Sequence, residues 1–472
     1  MSVPFTGGLI LLLGLCFFFH SARVLYASMI IAIPFSATVV INIHAGGEEK
    51  GVAAWMFLGA LWILREAITG RPPWHRPGWF SSRRARVALV AFAAAVSASL
   101  CVPLVLNGTS WVPDPSVASA EMIPLKFGSY NLTQTGYLFF GILLAIFLAV
   151  ESHRPSSIYY TAKFYVASCT FAAVWGLFEL WCNLMGYAYP AYLFNTSADA
   201  SALGYKQALV LGLGKLGRVS SVALEPSVLA EELLIALVLL LVSFKLRRHI
   251  LSKKWDQIAI TLILSALFVS TSTTAYAGIL IAFFLVAVIL SSSGKTSKIY
   301  FLVGAGILLT GILVVAAVPL VREVAELMIF GKLDVGSGFE RLHSVVLAAR
   351  DFSTYPILGA GWHAVTSWDL VFLLLANTGI IGFTAFAYFV VPVARGLWRS
   401  VRARKPVAIV VLPAFLLTLL MAEMVGLTYA AGYVWLVFGL GAGALAASQT
   451  EVTKLSSASK THLGQQRLSP NA

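Results

Sequence analysis

Residues 227–245 read SVLAEELLIALVLLLVSFK, and this run decides the fold class. Apart from the pair Glu231-Glu232, everything from Val228 to Val242 is apolar, with no period of two and no polar face. A stretch that is apolar all round belongs to a helix buried on every side. At 1.5 Å per residue it reaches about 28 Å, close to the thickness of a bilayer's hydrocarbon core. Pro226 suits the first helical position and Glu225 the cap before it, while Lys245, Arg247 and Arg248 end the run in water.

Outward from this span the pattern repeats. Apolar runs near 5–21, 24–42, 51–69, 87–106, 133–151, 159–185, 256–273, 275–292, 299–320, 369–394, 407–428 and 430–447 bring the candidates to thirteen, or to twelve if one of the first two is re-entrant. Residues 256–291 are too long for one span and are polar from Ser270 to Thr274, which predicts two helices joined by a tight turn. Composition agrees: 59% hydrophobic against 11% charged residues over 472 positions, with mean hydropathy +0.86, excludes a soluble multidomain protein. The expected fold is an all-α polytopic membrane protein, a bundle of 12–13 transmembrane helices capped by a large periplasmic loop.

The net charge of +13 would suggest nucleic acid in a soluble protein, but here its placement sets orientation and no nucleic-acid partner is expected. Twenty-two of the 33 Lys and Arg fall in one set of alternate loops and nine in the other, which assigns the richer set to the cytoplasm. The long loops 107–132, 186–226 and 321–368 then lie outside, and a loop of nearly fifty residues rich in Gly, Pro and aromatics is more often functional than decorative. Residues 1–447 form the bundle with these loops, and 448–472, rich in Ser, Thr, Gln and Lys, read as a disordered cytoplasmic tail. No Lys or Arg precedes Arg23, so the first run reads as a retained span rather than a cleaved signal. Cys16, Cys101, Cys169 and Cys182 form no CxxC and no Cys/His ligand pattern, so neither a zinc site nor a disulfide framework is expected.

Several motifs fail on context. Gly212, Gly214 and Gly217 satisfy G-x-G-x-x-G, but no strand is expected before them and they lie in an outer loop. Asn107, Asn131 and Asn195 open glycosylation sequons that matter only in a eukaryote. No D-x-D, H-E-x-x-H or Walker pattern occurs, which supports neither a metal–nucleotide-sugar site nor a P-loop; no metal and no cofactor is expected.

Two outer stretches carry the functional signal: GRVSSVALEPS at 217–227, and SGFERLH at 337–343 continuing to YPILGAGWH at 355–363, followed by ANTGIIG at 376–382. An Arg opening a loop helix, a Pro-x-Leu-Gly-x-Gly turn and a Gly-Ile-Ile-Gly span together resemble the O-antigen ligase and polymerase superfamily, which includes the Wzy-type polymerases. The Arg-to-Glu-Pro-Ser stretch is similar to its exopolysaccharide-polymerase branch. The resemblance covers roughly residues 130–395 and the topology. It implies a metal-independent, GT-C-like membrane glycosyltransferase in a bacterial inner membrane, working at the periplasmic face on an undecaprenyl-pyrophosphate-linked oligosaccharide. Membrane lipids, a chain-length regulator and a flippase are the implied partners. The ligases commonly carry a His-Asn pair before the Gly-Ile-Ile-Gly turn, where this chain has Trp368 and Asp369, and that departure favours polymerase over ligase.

Chemistry points the same way. A pyrophosphate needs fixed cations, and guanidinium grips phosphate oxygens bidentately without losing its charge, which nominates Arg218 and Arg341, with Arg350 behind them. Glu225, Trp362 and Trp368 complete the expected binding set, the tryptophans as sugar-stacking surfaces. Asp369, His363 and His343 are candidates for the general base. Structural alternatives stand beside each. Arg341 could pair with Glu340 or Asp351 or reach a headgroup, Glu225 could cap the next helix, and the histidines could bond within the loop. Trp362 and Trp368 could belong to the interfacial belt, and Glu66, Glu179, Glu231, Glu232 and Glu423 could be internal helix contacts.

The expected function is a polysaccharide polymerase for O-antigen, capsule or exopolysaccharide. An O-antigen ligase or O-oligosaccharyltransferase is the near alternative, since those share the architecture and differ in acceptor. A polytopic transporter or flippase is the alternative from another class; transporters place ionisable residues near mid-membrane, whereas the distinctive charges here lie in outer loops.

Overall fold

The computed structural model describes residues 2–45, 48–69, 74, 76, 78, 79, 82–113, 121–198, 208–211, 214–294, 299, 302–306, 309, 337–426 and 429–467. Its helices are α1 Phe5–His20, α2 Ala22–Ala32, α3 Ala54–Ile68, α4 Arg83–Ser99, α5 Cys101–Leu106, α6 Ser129–Glu151, α7 Pro155–Met185, α8 Pro226–Lys245, α9 Lys253–Val269, α10 Thr273–Ser292, α11 Ser337–Thr354, α12 Leu370–Arg402, α13 Pro406–Val425 and α14 Gly432–Arg467. Three antiparallel hairpins lie between them: β1 Val39–Ala45 with β2 Glu48–Ala53, β3 Trp111–Pro113 with β4 Met122–Pro124, and β5 Ala208–Leu211 with β6 Gly214–Gly217.

Eight of the helical segments described are long and apolar enough to cross a membrane: Arg83–Leu106, Ser129–Glu151, Pro155–Met185, Pro226–Lys245, Thr273–Ser292, Leu370–Arg402, Pro406–Val425 and Gly432–Gln449. The protein is therefore mostly helical and of multi-pass type, but the expected twelve to thirteen spans are more than these residues show. The run 24–42 divides: α2 stops ahead of Pro34, which has no N–H to continue it, and the β-branched Val39, Val40 and Ile41 turn to strand β1. Helices α1, α3 and α9 form where runs were read but reach only 16, 15 and 17 residues. Most of the run 299–320 lies outside the described residues, as does 321–336 of the long loop.

The predicted split of 256–291 is present, with Thr271 (φ 49°) turning the chain between α9 and α10. At the C-terminal end α14 runs on to Arg467, through residues whose composition suggested a tail. With no proline before Pro470, a helix nucleated in the membrane propagates outward one hydrogen bond at a time. The three glycines of the G-x-G-x-x-G pattern are also preceded by a strand after all. It is β5, paired antiparallel with β6 as a hairpin, not the βαβ unit that a dinucleotide needs.

Helix α8 is enclosed on all sides: every residue from Leu229 to Ser243 is buried, with α7, α9, α10 and α13 packed around it. Helix α6 packs on α14 and α4 on α12, with α13 between α12 and α14. Close approach at these seams falls on glycine, as where a Cβ on Gly141 would overlap the Trp435 ring.

The joint that organises one end of the bundle is a break in α12. Gly379 takes φ 61°, ψ −166°, and residues 355–361 insert their backbone there. Ala360 N donates to Ala376 O at 2.7 Å, Gly361 N to Asn377 O at 3.2 Å, and Ile380 N to Pro356 O at 2.9 Å. A Cβ on Gly359 would stand 2.3 Å from Asn377 C, and one on Gly379 would stand 2.2 Å from Ile357 O, so both glycines of this crossing are required by backbone contact as well as by φ. Asn377 binds the next stretch of loop, accepting from Val365 N at 3.0 Å and donating to Val365 O at 2.8 Å.

Gly379→Ala should therefore cost about 2–4 kcal/mol through overlap and strain, while Gly136→Ala, inside α6 with nothing within 4 Å of its Cβ, should cost no stability. Thermal unfolding of the purified variants by fluorescence-detected size exclusion distinguishes them. Equal midpoints would refute the backbone interlock.

Candidate functional site

The loop ahead of α8 carries Arg218 and is held from within the bundle. Glu179 on α7 accepts the backbone N–H groups of Ser220 at 3.1 Å and Ser221 at 2.6 Å through Oε2. Ser221 sits at φ 55°, its hydroxyl donates to Ala172 O at 2.7 Å, and the Tyr189 hydroxyl donates to Ser221 O at 3.2 Å. Gly176 lets this loop close on α7, since a Cβ there would lie 3.1 Å from Val219 Cγ1. Glu179 thus anchors a loop backbone rather than a neighbouring helix side chain, the role its position in a span suggested.

Glu225 is the residue before Pro226, but its side chain does not cap α8; its Oε2 accepts from the Ser227 hydroxyl at 3.0 Å. From the other side comes Arg341 on α11, its Cζ 5.1 Å from the centroid of the Trp368 ring, a cation–π distance. Ser344 ties the two together, donating to Arg341 O at 2.7 Å and accepting from Trp368 N at 3.3 Å.

Arg218 and Arg341, far apart in the chain, lie in one electrostatic field. Burial pushes the Arg218 guanidinium below its usual range, opposed by Glu225 and Tyr276 and reinforced by Arg341. Burial acts on Arg341 in the same direction, opposed by Glu225 and Glu231. Glu231, one turn into α8, receives the Tyr433 hydroxyl from α14. Guanidinium does not deprotonate in proteins, so these depressions mark partly desolvated cations that gain from an added anion. The arrangement can hold a multiply charged anion between two arginines with carboxylates at its edge.

The remaining candidates fall elsewhere or into scaffolding. Asp369 is the N-cap of α12, with Oδ1 accepting from Phe372 N at 2.7 Å and Oδ2 from the Ser367 hydroxyl at 2.5 Å. His363, half-buried at φ 59°, stacks on Tyr130 at 4.7 Å. His343 lies two residues beyond Arg341 on α11, about 200° round the helix. Arg350 is nine residues on, about half a turn away in angle, exposed and beside Asp351. Trp362 is 1% exposed between Phe92 and Tyr429, its carbonyl accepting from Asn131 Nδ2 at 2.7 Å. That enclosure leaves no face for a sugar, which corrects the reading of Trp362 as a stacking surface. The sequons change in the same way, because Asn131 and Asn195 are both buried.

Sequence reasoning did not join Tyr276, Tyr433 and Ser344 to the site. Tyr276 and Tyr433 lie on helices remote in sequence from 218 and 341, and Ser344, three residues after Arg341 on α11, stands in no motif. Glu231 had one signal, an ionisable residue inside a span.

Two outcomes follow from this geometry. Glu179→Ala leaves two buried N–H groups without their acceptor and should destabilise the chain by about 1–3 kcal/mol, while Glu179→Gln, which keeps an amide oxygen, should lose less. Asp351, 5% exposed, is pushed from 3.8 up to about 6 by burial, with Arg350 opposing. Folding therefore favours its protonated form, and the wild type should lose stability relative to Asp351→Asn as pH rises from about 4 to 6, with no further change above. Parallel pH profiles of the two proteins would expose this loss; superimposable profiles would rule out the burial effect.

Scanned against protein-family models the chain matches none, and a search of the curated proteins returns no match.

Proposed function

We propose that the protein is a membrane glycosyltransferase that joins repeat units carried on a polyprenyl pyrophosphate, lengthening a polysaccharide at the outer face of a bacterial inner membrane. The observation that carries this reading is the convergence of Arg218 and Arg341, both partly buried, with Glu225 and Glu231 beside them at the α8 N-terminal end of the bundle. A diphosphate leaving group is the anion whose charge and reach suit two guanidinium groups. Trp368, half-buried under Arg341, remains the one nominated tryptophan with surface to offer a sugar.

In the proposed step an acceptor hydroxyl oxygen attacks the anomeric carbon, and the bond from that carbon to the pyrophosphate oxygen breaks. The electron pair leaves on the pyrophosphate, where the two arginines stabilise it. The hydroxyl proton passes to a carboxylate. Glu225 suits this role better than Asp369, because both Asp369 oxygens already hold hydrogen bonds of the helix cap.

Arg341→Ala should lower polymer formation about 10²–10³-fold, Arg341→Lys should retain part of it, and Glu225→Gln should reduce turnover without releasing donor. The measurement is the lipid-linked glycan profile of a deletion strain complemented with each variant. Single repeat units accumulating on the carrier support a polymerase. Full-length polymer left on the carrier would point to a ligase, and an unchanged profile with a blocked flux across the membrane would point to a transporter.

A further inference from the structure

At the end of the bundle opposite Arg218 and Arg341, α4, α12 and α14 enclose a cavity of about 920 Å³. Arg83 and Arg84 reach it from the first turn of α4, Arg395 and Arg399 from the last turns of α12, and Phe389 and Leu445 form its wall. All four arginines are exposed, and among the described residues no acidic side chain lines the cavity and none of the four makes an ion pair. Arg395 and Arg399 are four residues apart and share one face of α12. The wall beneath them is close-packed: a Cβ on Gly396 would stand 2.6 Å from Leu445 Cδ1.

The depth of the cavity identifies its occupant. The apolar span Arg83–Leu106 begins at its rim, and the apolar span Gly432–Gln449 ends there, so the guanidinium groups lie where hydrocarbon gives way to headgroups. We propose that this cavity binds an acidic phospholipid carrying two phosphates, with the phosphates between the two arginine pairs and an acyl chain along Phe389 and Leu445. Two phosphates match four cations that have no counter-ion among the described residues. Guanidinium holds phosphate oxygens bidentately, and a basic recess between spans is the geometry that retains such headgroups. The proposal stands apart from the activity at the other end.

The test uses the full chain reconstituted in phosphatidylcholine nanodiscs with and without cardiolipin, and reads retained lipid by native mass spectrometry and thermal midpoint. Cardiolipin should be retained and should raise the midpoint, with affinity falling at high salt and weakened about tenfold or more in the folded double variant Arg395→Gln/Arg399→Gln. The pair Arg83→Gln/Arg84→Gln reads the same site should the first variant fail to fold. Equal retention by wild type and a folded variant would overturn the proposal. So would stabilisation by inorganic pyrophosphate in plain phosphatidylcholine equal to that by cardiolipin, which would make the cavity a soluble-anion site.

Discussion

The break in α12 at Gly379 is the constraint on which the rest of this end of the molecule depends. A helix interrupted inside a bundle exposes carbonyls and N–H groups that hydrocarbon cannot satisfy, so another backbone must supply the missing partners. Residues 355–361 do so, meeting Ala376, Asn377 and Ile380 through main-chain hydrogen bonds. Because the contacts are backbone to backbone, the glycines at 359 and 379 leave no room for a Cβ on either strand of the crossing. That crossing fixes the loop between α11 and α12, and with it Trp368 and the packing of α11 on α12.

Four buried polar side chains in this protein serve irregular backbone. Asn377 binds Val365 through both its amide atoms, Asn131 holds the Trp362 carbonyl, Glu179 holds Ser220 and Ser221, and Asp369 closes the first turn of α12. In a soluble protein, water would satisfy much of this irregular backbone. Beside the membrane the chain satisfies it internally at these four places. Two arginines from connections distant in the chain, Arg218 and Arg341, thereby lie partly desolvated in one electrostatic field with Glu225.

The two ends of the bundle differ in electrostatic character. At the α8 N-terminal end, cations and carboxylates are interleaved, which suits a reaction in which charge moves from one group to another. At the opposite end cations line a recess with no acid among the described residues, which suits retention of an anion.

The sequence alone determined the class of fold, because hydrocarbon admits only helices whose apolar surface is continuous, and eight spans lie where apolar runs were read. It also nominated Arg218, Arg341 and Glu225, since an isolated cation in an outer loop is visible as a residue type. Only the tertiary structure decided how many runs become full spans, as at 24–42, where Pro34 and a β-branched stretch turn a hydrophobic run into helix and strand. It also separated Trp362, sealed in the core, from Trp368, set beneath a guanidinium. Hydrophobic periodicity reports what a residue must avoid, whereas a partner such as Tyr433 for Glu231 depends on which helices pack together, and that is fixed by long-range packing that no local pattern encodes.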